Sequence, residues 1–396
     1  MNFKALESEC RDILENNILP FWLKYGMDWE NGGIYTALNR DGSLLDTDKS
    51  VWFQGRALWT FSTAYLEVEK RPEYLKAAKC LVSFIDRYCF DDDGRMFFIV
   101  SSDGRPVVKR LRYFFSEAFA IMGYASYSRA TKDSLYRDKA FSLLERVDYM
   151  RKTEGILIPK VNQETEPSIS FGGPMILINV LSELRKAYPE KKEWCAQYIS
   201  ELIEEIEKYF VKDDLKCVLE SVAPDGTFMR EHNSGRIINP GHAIEGAWFI
   251  MSEGVYRKDP HYIELGKKIL DWHWDKGWDR EYGGIIQYRD ALNLPISEYH
   301  QDMKFWWPQC EAAIANILSY GVMKEEKYLE RFQETMKYIS DRFIDREYGE
   351  WFGYFHRDGT LSTPVKGNFY KGPFHIPRMY LKIIEIIKAF NLNAKI

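Results

Sequence analysis

The stretch Asn239-Pro240-Gly241-His242-Ala243-Ile244-Glu245-Gly246-Ala247-Trp248 is the best starting point for predicting the fold. Its Pro-Gly pair interrupts one element and suits the first turn of the next, so a helix is expected to start here. From 243 to 255 this helix is apolar on nearly every side, which indicates a helix enclosed by other helices. His242 and Glu245 are three residues apart and share one face near its N-terminus.

A weak motif recurs along the chain at a spacing of roughly 60 residues, which is typical of a repeat architecture. Each copy begins with acidic and glycine residues, continues as a short β-like run and often turns at Asp-Gly, a hairpin signal. The first copy reads Gly32-Gly33-Ile34-Tyr35-Thr36-Ala37-Leu38-Asn39-Arg40-Asp41-Gly42. The six copies lie at 32–42, 93–104, 154–159, 215–226, 282–288 and 348–359, and the third is degenerate.

The segments between these hairpins are predicted to be pairs of helices. The first helix of a pair is apolar nearly all round, as at 243–255 and 311–320, whereas the second carries a single apolar stripe, as at 199–210. Six such pairs predict an all-α fold, an (α/α)6 barrel of six inner and six outer helices with short β-hairpins at one end. No Pro/Gly/Ser-rich linker divides the chain, so residues 1–396 are expected to form one domain.

Because a hairpin precedes each inner helix, all six inner helices should start at the same end of the barrel, and a pocket is expected there. His242 and His375 occupy equivalent positions in the fourth and sixth repeats, which favours a joint role for them. Trp306 and Trp307 point about 100° apart on a helix, so only one of them is expected to face a ligand. The candidate site residues at the six starts are Trp52, Arg56, Glu117, His242, Glu245, Trp306, Trp307, Gln309, Glu311 and His375.

Three glutamates on these apolar helices require partners, because a buried carboxylate without one is costly. For Glu117 a structural role fits as well as a functional one. Glu245 and Glu311 are expected to orient the imidazoles or to hold sugar hydroxyls. Trp52 and Gln309 are candidate substrate contacts, and an aromatic content of 15% is consistent with a sugar pocket as well as with an aromatic core.

Two histidines across a pocket suit proton abstraction next to a carbonyl, since imidazole titrates near neutral pH. One imidazole removes a proton from one face of a carbon, and the other returns a proton to the opposite face. Arg56 and the inward-pointing helix N-termini would stabilise the enediolate intermediate. Glycoside hydrolysis needs two opposed carboxylates and gives the histidines no role. The chain lacks clustered metal-ligand spacing, so no metal site is predicted.

Composition excludes several other classes of function. The net charge of −5 without a basic stripe argues against nucleic-acid binding, and no apolar run is long enough to span a membrane. The six cysteines are scattered, and the N-terminal residues do not resemble a signal peptide, so a cytoplasmic protein is expected. There is no glycine-rich phosphate loop.

Together these stretches resemble the N-acylglucosamine 2-epimerase family over nearly the whole chain. The resemblance rests on Gly32-Gly33-Ile34-Tyr35, Trp52-Phe53-Gln54-Gly55-Arg56, Pro240-Gly241-His242-Ala243-Ile244-Glu245, Lys304-Phe305-Trp306-Trp307-Pro308-Gln309 with Glu311, and Phe374-His375-Ile376-Pro377-Arg378. It implies an (α/α)6 barrel, ring opening, and interconversion of N-acetylglucosamine and N-acetylmannosamine. His242 and His375 would be the acid/base pair and Arg56 would bind substrate oxygens. It also implies a homodimer that requires no cofactor for its chemistry. ATP activates some members, but no nucleotide motif supports it here.

The start of the third inner helix distinguishes branches of this superfamily. Cellobiose 2-epimerases and mannose isomerases typically carry a further histidine there, whereas this chain has Gly172-Gly173-Pro174-Met175. The departure favours an N-acyl sugar as substrate. Two alternatives remain open at this point. One is an aldose–ketose isomerase or 2-epimerase acting on unmodified mannose- or glucose-type sugars, and the other is a non-catalytic sugar-binding module.

Overall fold

The computed structural model describes residues 1–111, 113–159 and 161–392, and in these residues the predicted (α/α)6 barrel is confirmed. The six inner helices are Val51–Glu67, Phe115–Thr131, Gly172–Ala187, Pro240–Arg257, Trp306–Met323 and His375–Ala389. The outer helices are Phe3–Ile13, Pro72–Tyr88, Ser134–Lys152, Lys192–Tyr209, Pro260–Gly277 and Glu326–Arg342. The first outer helix continues in helical turns through Leu14–Ile18, Leu19–Phe21 and Trp22–Gly26, and short helices span Pro189–Lys191 and Asn233–Arg236.

The ring closes between the two ends of the chain. The N-terminal outer helix packs against the sixth inner helix, which also contacts the first inner helix. Leu38 forms an antiparallel bridge with Gly367, and the Arg40 guanidinium pairs with the Asp345 carboxylate at 2.8 Å. The predicted order of hairpin, inner helix and outer helix therefore fails in the sixth repeat. Its outer helix comes from the first residues of the chain, because the ring is closed by joining the two ends.

The apolar patterns correspond to burial as predicted. Every residue from Trp306 to Gly321 in the fifth inner helix is buried, whereas the outer helix Glu326–Arg342 buries a single stripe. The first and second inner helices approach closely at Gly55, where a Cβ would lie 2.5 Å from the carbonyl carbon of Phe119. Glycine is needed there because any side chain would overlap the neighbouring backbone. None of the described helices combines the length and apolarity that a membrane span needs.

The turns from inner to outer helices use local capping. Lys258 ends the fourth inner helix in the left-handed conformation at φ 60°, and the Asp259 carboxylate accepts a hydrogen bond from the backbone N–H of His261 at 2.9 Å. Pro260 then occupies the first turn of the outer helix. A cationic residue at a helix C-terminus and an acidic cap at the next N-terminus both suit the helix dipole, so the chain reverses in very few residues.

Short antiparallel strands lie where the inner helices start, and most of them join neighbouring repeats. The strand Lys49–Ser50 pairs with Ile99–Val100 of the next repeat, and Lys304–Phe305 pairs with Tyr354–Phe355. Among the described residues, the degenerate copy at 154–159 contains neither a strand nor an isolated β-bridge, whereas the copies at 32–42 and 282–288 contain isolated bridges only, at Ile34, Leu38 and Ile285. The strands are Lys49–Ser50, Ile99–Val100, Pro106–Val108, Ile169–Ser170, Val211–Lys212, Cys217–Val218, Ser221–Val222, Ile237–Ile238, Arg289–Asp290, Lys304–Phe305, Tyr354–Phe355 and Leu361–Thr363.

Candidate active site

A cavity of about 680 Å³ opens at the end of the barrel where the inner helices begin. All six inner helices contribute side chains to its lining, so the predicted convergence of the six helix starts is found. Much of the lining is aromatic. The charged and hydrogen-bonding residues in the lining include Arg56, Asn239, His242, Glu245, Gln287 and His375.

His242 lies in the first turn of the fourth inner helix. The Asn239 side chain caps this helix by accepting a hydrogen bond from the His242 backbone N–H at 3.1 Å. The His242 Nδ1 atom is 3.1 Å from both carboxylate oxygens of Glu220. That contact favours the tautomer with the proton on Nδ1, which leaves Nε2 as the nitrogen available for proton transfer.

Glu220 is itself held by the neighbouring strands. Its backbone N–H donates to the carbonyl of Ile237 at 3.2 Å, and its carbonyl accepts from the N–H of Phe171 at 3.1 Å. The carboxylate is thereby placed beside the fourth inner helix. The third and fourth repeats both contribute to holding one imidazole in position.

His375 is the first residue of the sixth inner helix and is buried. Its Nδ1 atom is 2.9 Å from the Glu311 carboxylate and 3.2 Å from the Arg378 Nη2. The carboxylate favours the tautomer with the proton on Nδ1, which leaves Nε2 as the basic nitrogen. Burial, together with the positive charges of Arg378 and Arg56, holds the pKa of His375 well below its ordinary value. His375 is therefore a neutral imidazole at neutral pH, as a general base must be.

Arg378 connects the two carboxylates behind the cavity. Its side chain is almost wholly buried, and its Nη2 donates to Glu245 and, at 2.7 Å, to Glu311. The second oxygen of Glu311 accepts from the Trp248 indole N–H at 2.8 Å. Although burial opposes the charge, the two carboxylates raise the pKa of Arg378 above its ordinary value. Each member of the network is buried and shares at least one hydrogen bond with another member, which favours a fixed arrangement.

Glu245, Glu311 and His375 place their ligand atoms within 4.8 Å of one another, a grouping that elsewhere can bind a metal ion. Here the Arg378 guanidinium donates to both carboxylates. A divalent cation at this place would face an immobilised positive charge, which opposes its binding. We therefore interpret the cluster as support for His375.

Arg56 is a buried cation next to aromatic rings. Its guanidinium lies 3.9 Å from the centroid of the Phe119 ring and 4.9 Å from that of Phe374. Within the described ranges it forms no ion pair, and its Nε atom has no hydrogen-bond partner. Burial lowers the pKa of Arg56 to about 9, although the Glu245 carboxylate opposes this shift. Arg56 still carries its charge at pH 7, so it is suited to binding an anionic oxygen in the cavity.

Both tryptophans line the cavity, so both are within reach of a ligand there, whereas the sequence predicted that only one of them faces a ligand. The Trp307 ring lies close to both imidazoles, 4.9 Å from the centroid of His242 and 5.9 Å from that of His375. Trp306 packs against Tyr354 at 5.3 Å. Trp306 and Trp307 are the first two residues of their helix. The two indoles leave the helix in different directions, but both are large enough to reach the mouth of the cavity. Trp52 also lines the cavity, as predicted.

Three other candidates lie outside the lining. The Glu117 carboxylate accepts from the Arg95 Nε at 2.7 Å and from the Met96 N–H at 3.1 Å, which fits the structural alternative. The Gln309 amide accepts from the N–H of Ile285 at 2.8 Å and donates to its carbonyl at 2.8 Å. Its hydrogen bonds are used within the protein, so the substrate-contact interpretation of Gln309 is not supported. Glu311 contacts His375 and not the cavity, which fits the predicted orienting role.

Comparison with known proteins identifies the family. The family model described as N-acylglucosamine 2-epimerase (GlcNAc 2-epimerase) matches residues 32–373. The chain belongs to the N-acylglucosamine 2-epimerase family. It is 35% identical to an N-acylglucosamine 2-epimerase of Bos taurus, across 94% of this chain and 89% of the relative. It is 26% identical to a cellobiose 2-epimerase of Eubacterium cellulosolvens, across 94% and 96%. The solved cellobiose 2-epimerase of Bacillus thermoamylovorans shares the fold, with a TM-score of 0.84, 23% identity and coverage of 96% and 99%.

Membership in this epimerase family makes the chain an isomerase that acts on sugars, and it excludes the alternative of a non-catalytic binding module. Within the epimerase site, sequence reasoning missed Glu220 and Arg378. Glu220 ends an apolar run in the fourth hairpin, where a lone carboxylate is a recognisable signal. Arg378 follows His375 by three residues and so shares its helix face. The sequence did not show that the Arg378 guanidinium donates to two carboxylates, those of Glu245 and Glu311.

Proposed function

We propose that this epimerase interconverts N-acetylglucosamine and N-acetylmannosamine by proton transfer at C2 of the open-chain sugar. The observation that carries the proposal is the pair of imidazoles, His242 and His375, which line one cavity and both contact the Trp307 ring. Each pair member has its Nδ1 atom against a carboxylate. The higher identity to N-acylglucosamine 2-epimerases than to cellobiose 2-epimerases supports the N-acetylated substrate.

The reaction begins with the neutral His375, whose Nε2 takes the proton from C2 as the C2–H bond breaks. The electron pair moves into the carbonyl, so the anionic charge develops on O1. In an unmodified sugar the intermediate is an enediolate, whereas in an N-acetylated sugar it is the corresponding 2-acetamido enolate. Arg56 stabilises the charge on O1, because a cation in a desolvated site interacts strongly with a developing anion.

His242 completes the inversion by delivering its Nε2 proton to the opposite face of C2. The Glu220 carboxylate at 3.1 Å stabilises the imidazolium that precedes this transfer. In the reverse direction the two imidazoles exchange roles. Both then return to their starting states by exchanging protons with water.

The test follows C2 by NMR during incubation with N-acetylmannosamine in deuterated water. We expect N-acetylglucosamine carrying one solvent deuterium at C2. His242→Asn and His375→Asn should each abolish epimerisation, and each should retain C2 exchange in only one of the two epimers. Epimerisation that survives His375→Asn would contradict the role of that residue. A ketose product from an unmodified aldose, without turnover of either N-acetylated sugar, would favour the isomerase alternative.

A further inference from the structure

The cavity lining has two regions of different polarity. The fourth, fifth, sixth and first inner helices supply the histidines, Glu245, the tryptophans and Arg56. The second and third inner helices supply only apolar side chains to the lining. These four residues, called the apolar wall below, are Phe115, Phe119, Met175 and Ile176. They form a continuous surface because the second and third inner helices are in contact.

The apolar wall extends from the cation to the catalytic helix. At one end, the Arg56 guanidinium lies 3.9 Å from the Phe119 ring centroid. At the other end, Met175 packs against Gly246, the residue after Glu245. A Cβ at Gly246 would lie 3.5 Å from the Met175 Cγ atom. The wall therefore faces the region where the C2 chemistry takes place.

The positions of the two imidazoles fix how a planar intermediate must lie. The two proton transfers take place on opposite faces of C2. The line that joins His242 and His375 must therefore pass through the plane of the intermediate at C2. The Trp307 ring contacts both imidazoles, so it faces one edge of that plane. The opposite edge faces the first three inner helices. The planar C2 has three in-plane neighbours: C1, C3 and the nitrogen. With O1 next to Arg56, either C3 or the nitrogen points towards the second and third inner helices. The apolar lining there suits an acyl group better than the hydroxyl-bearing chain that begins at C3.

We propose that the apolar wall is the binding surface for the acyl group on the C2 nitrogen, and that Met175 and Ile176 set the accepted acyl length. The inference rests on the proposed function. An acetyl methyl group gains from contact with apolar side chains, and a hydroxyl at C2 would lose hydrogen bonds to water there. Both residues are buried and line the cavity, so their side chains bound the space next to the acyl group.

The experiment compares kcat/KM for N-acetyl-, N-propanoyl- and N-butanoylmannosamine. For the unmodified enzyme we expect a preference for N-acetyl over N-butanoyl of about tenfold or more, because a single methylene group against an apolar surface can change kcat/KM by about tenfold. Met175→Ala and Ile176→Ala should each raise the ratio of N-butanoyl to N-acetyl by about tenfold. Ile176→Val, which removes a single methylene group and is less disruptive to folding, should shift the ratio in the same direction.

Tyr299→Ala is the matched control, because Tyr299 lines the mouth with 94% of its surface exposed and is not part of the apolar wall. The ratio of kcat/KM for N-butanoyl- to N-acetylmannosamine in this variant should stay within about twofold of the ratio in the unmodified enzyme. Turnover of N-acetylmannosamine with an unchanged acyl-length profile in all three wall variants would overturn the inference alone. If the unmodified enzyme turns over no N-acyl sugar but does convert an unmodified aldose, the proposed function itself fails.

Discussion

Replacing Glu311 by glutamine tests how His375 is oriented. Three donors converge on this carboxylate, which is fully buried: the Trp248 indole N–H at 2.8 Å, the Arg378 Nη2 at 2.7 Å and the His375 Nδ1 at 2.9 Å. A carboxylate accepts all three hydrogen bonds. A glutamine has the same shape but presents an NH₂ group on one side, so at least one of the three donors must face another donor.

The expected loss follows from charge. With His375 neutral, the carboxylates of Glu245 and Glu311 balance the guanidinium groups of Arg56 and Arg378, so the cluster has no net charge. Glu311→Gln leaves the cluster with one uncompensated positive charge before His375 accepts a proton, and this charge opposes the protonation. An effective dielectric constant of about 20 and a separation of about 4 Å give about 4 kcal/mol. That amount corresponds to a fall in kcat of about 10³-fold.

The assay is kcat for epimerisation of N-acetylmannosamine, together with thermal unfolding. Glu183→Gln is the matched control, because Glu183 is also buried and accepts from the Trp59 indole N–H at 3.0 Å and from Lys186 at 2.7 Å. It lies outside the lining of the active-site cavity. Both variants should unfold at lower temperature, but the control should keep kcat within about threefold. The reasoning would be refuted by a comparable kcat in the two variants.

Three further predictions address the anion site, the inner ring and the pH dependence of stability. Arg56→Gln should lower kcat by about 10²- to 10³-fold without a matching rise in KM, as steady-state kinetics will show. Gly55→Ala should destabilise the fold by about 1–3 kcal/mol in urea unfolding, because its Cβ overlaps the Phe119 backbone. His273, whose Nε2 accepts from the Val218 N–H, is buried, which lowers its pKa to about 3. Between about pH 6.5 and 3 the unfolded state binds a proton on this imidazole and the folded state does not. The free energy of unfolding should therefore decrease as the pH falls through this range, by up to about 1.4 kcal/mol per pH unit, and His273→Gln should reduce that slope.

The sequence predicted the barrel because its signals are local and repeated. Apolarity on all sides of 243–255 and Asp-Gly turns about 60 residues apart each indicate one element, and six copies indicate a ring. The sequence did not show that the sixth outer helix comes from the N-terminus. That assignment depends on the packing of the N-terminal helix against the sixth inner helix when the ring closes. A local sequence pattern does not predict such a long-range contact.

The parts of the candidate site that follow from the repeat were also predictable from the sequence. His242, His375 and Arg56 lie at equivalent helix starts, so the repeat itself brings them together. Glu220 and Gln309 could not be assigned in this way. Glu220 lies directly before a strand and Gln309 at the start of a helix. The direction of each side chain decides whether it reaches the cavity or the backbone behind it. The register of the strands fixes that direction.

The two imidazoles have unequal access to water, and this constrains the proposed catalytic cycle. Each turnover moves one proton onto one histidine and removes one from the other, so both must be reset before the next reaction. The His242 side chain is 34% exposed, whereas that of His375 is 9% exposed and rests on a buried ion-pair network. His242 can therefore exchange its proton with water directly. His375 can do so only after the sugar has left the cavity, so product release must precede the return of its proton to solvent.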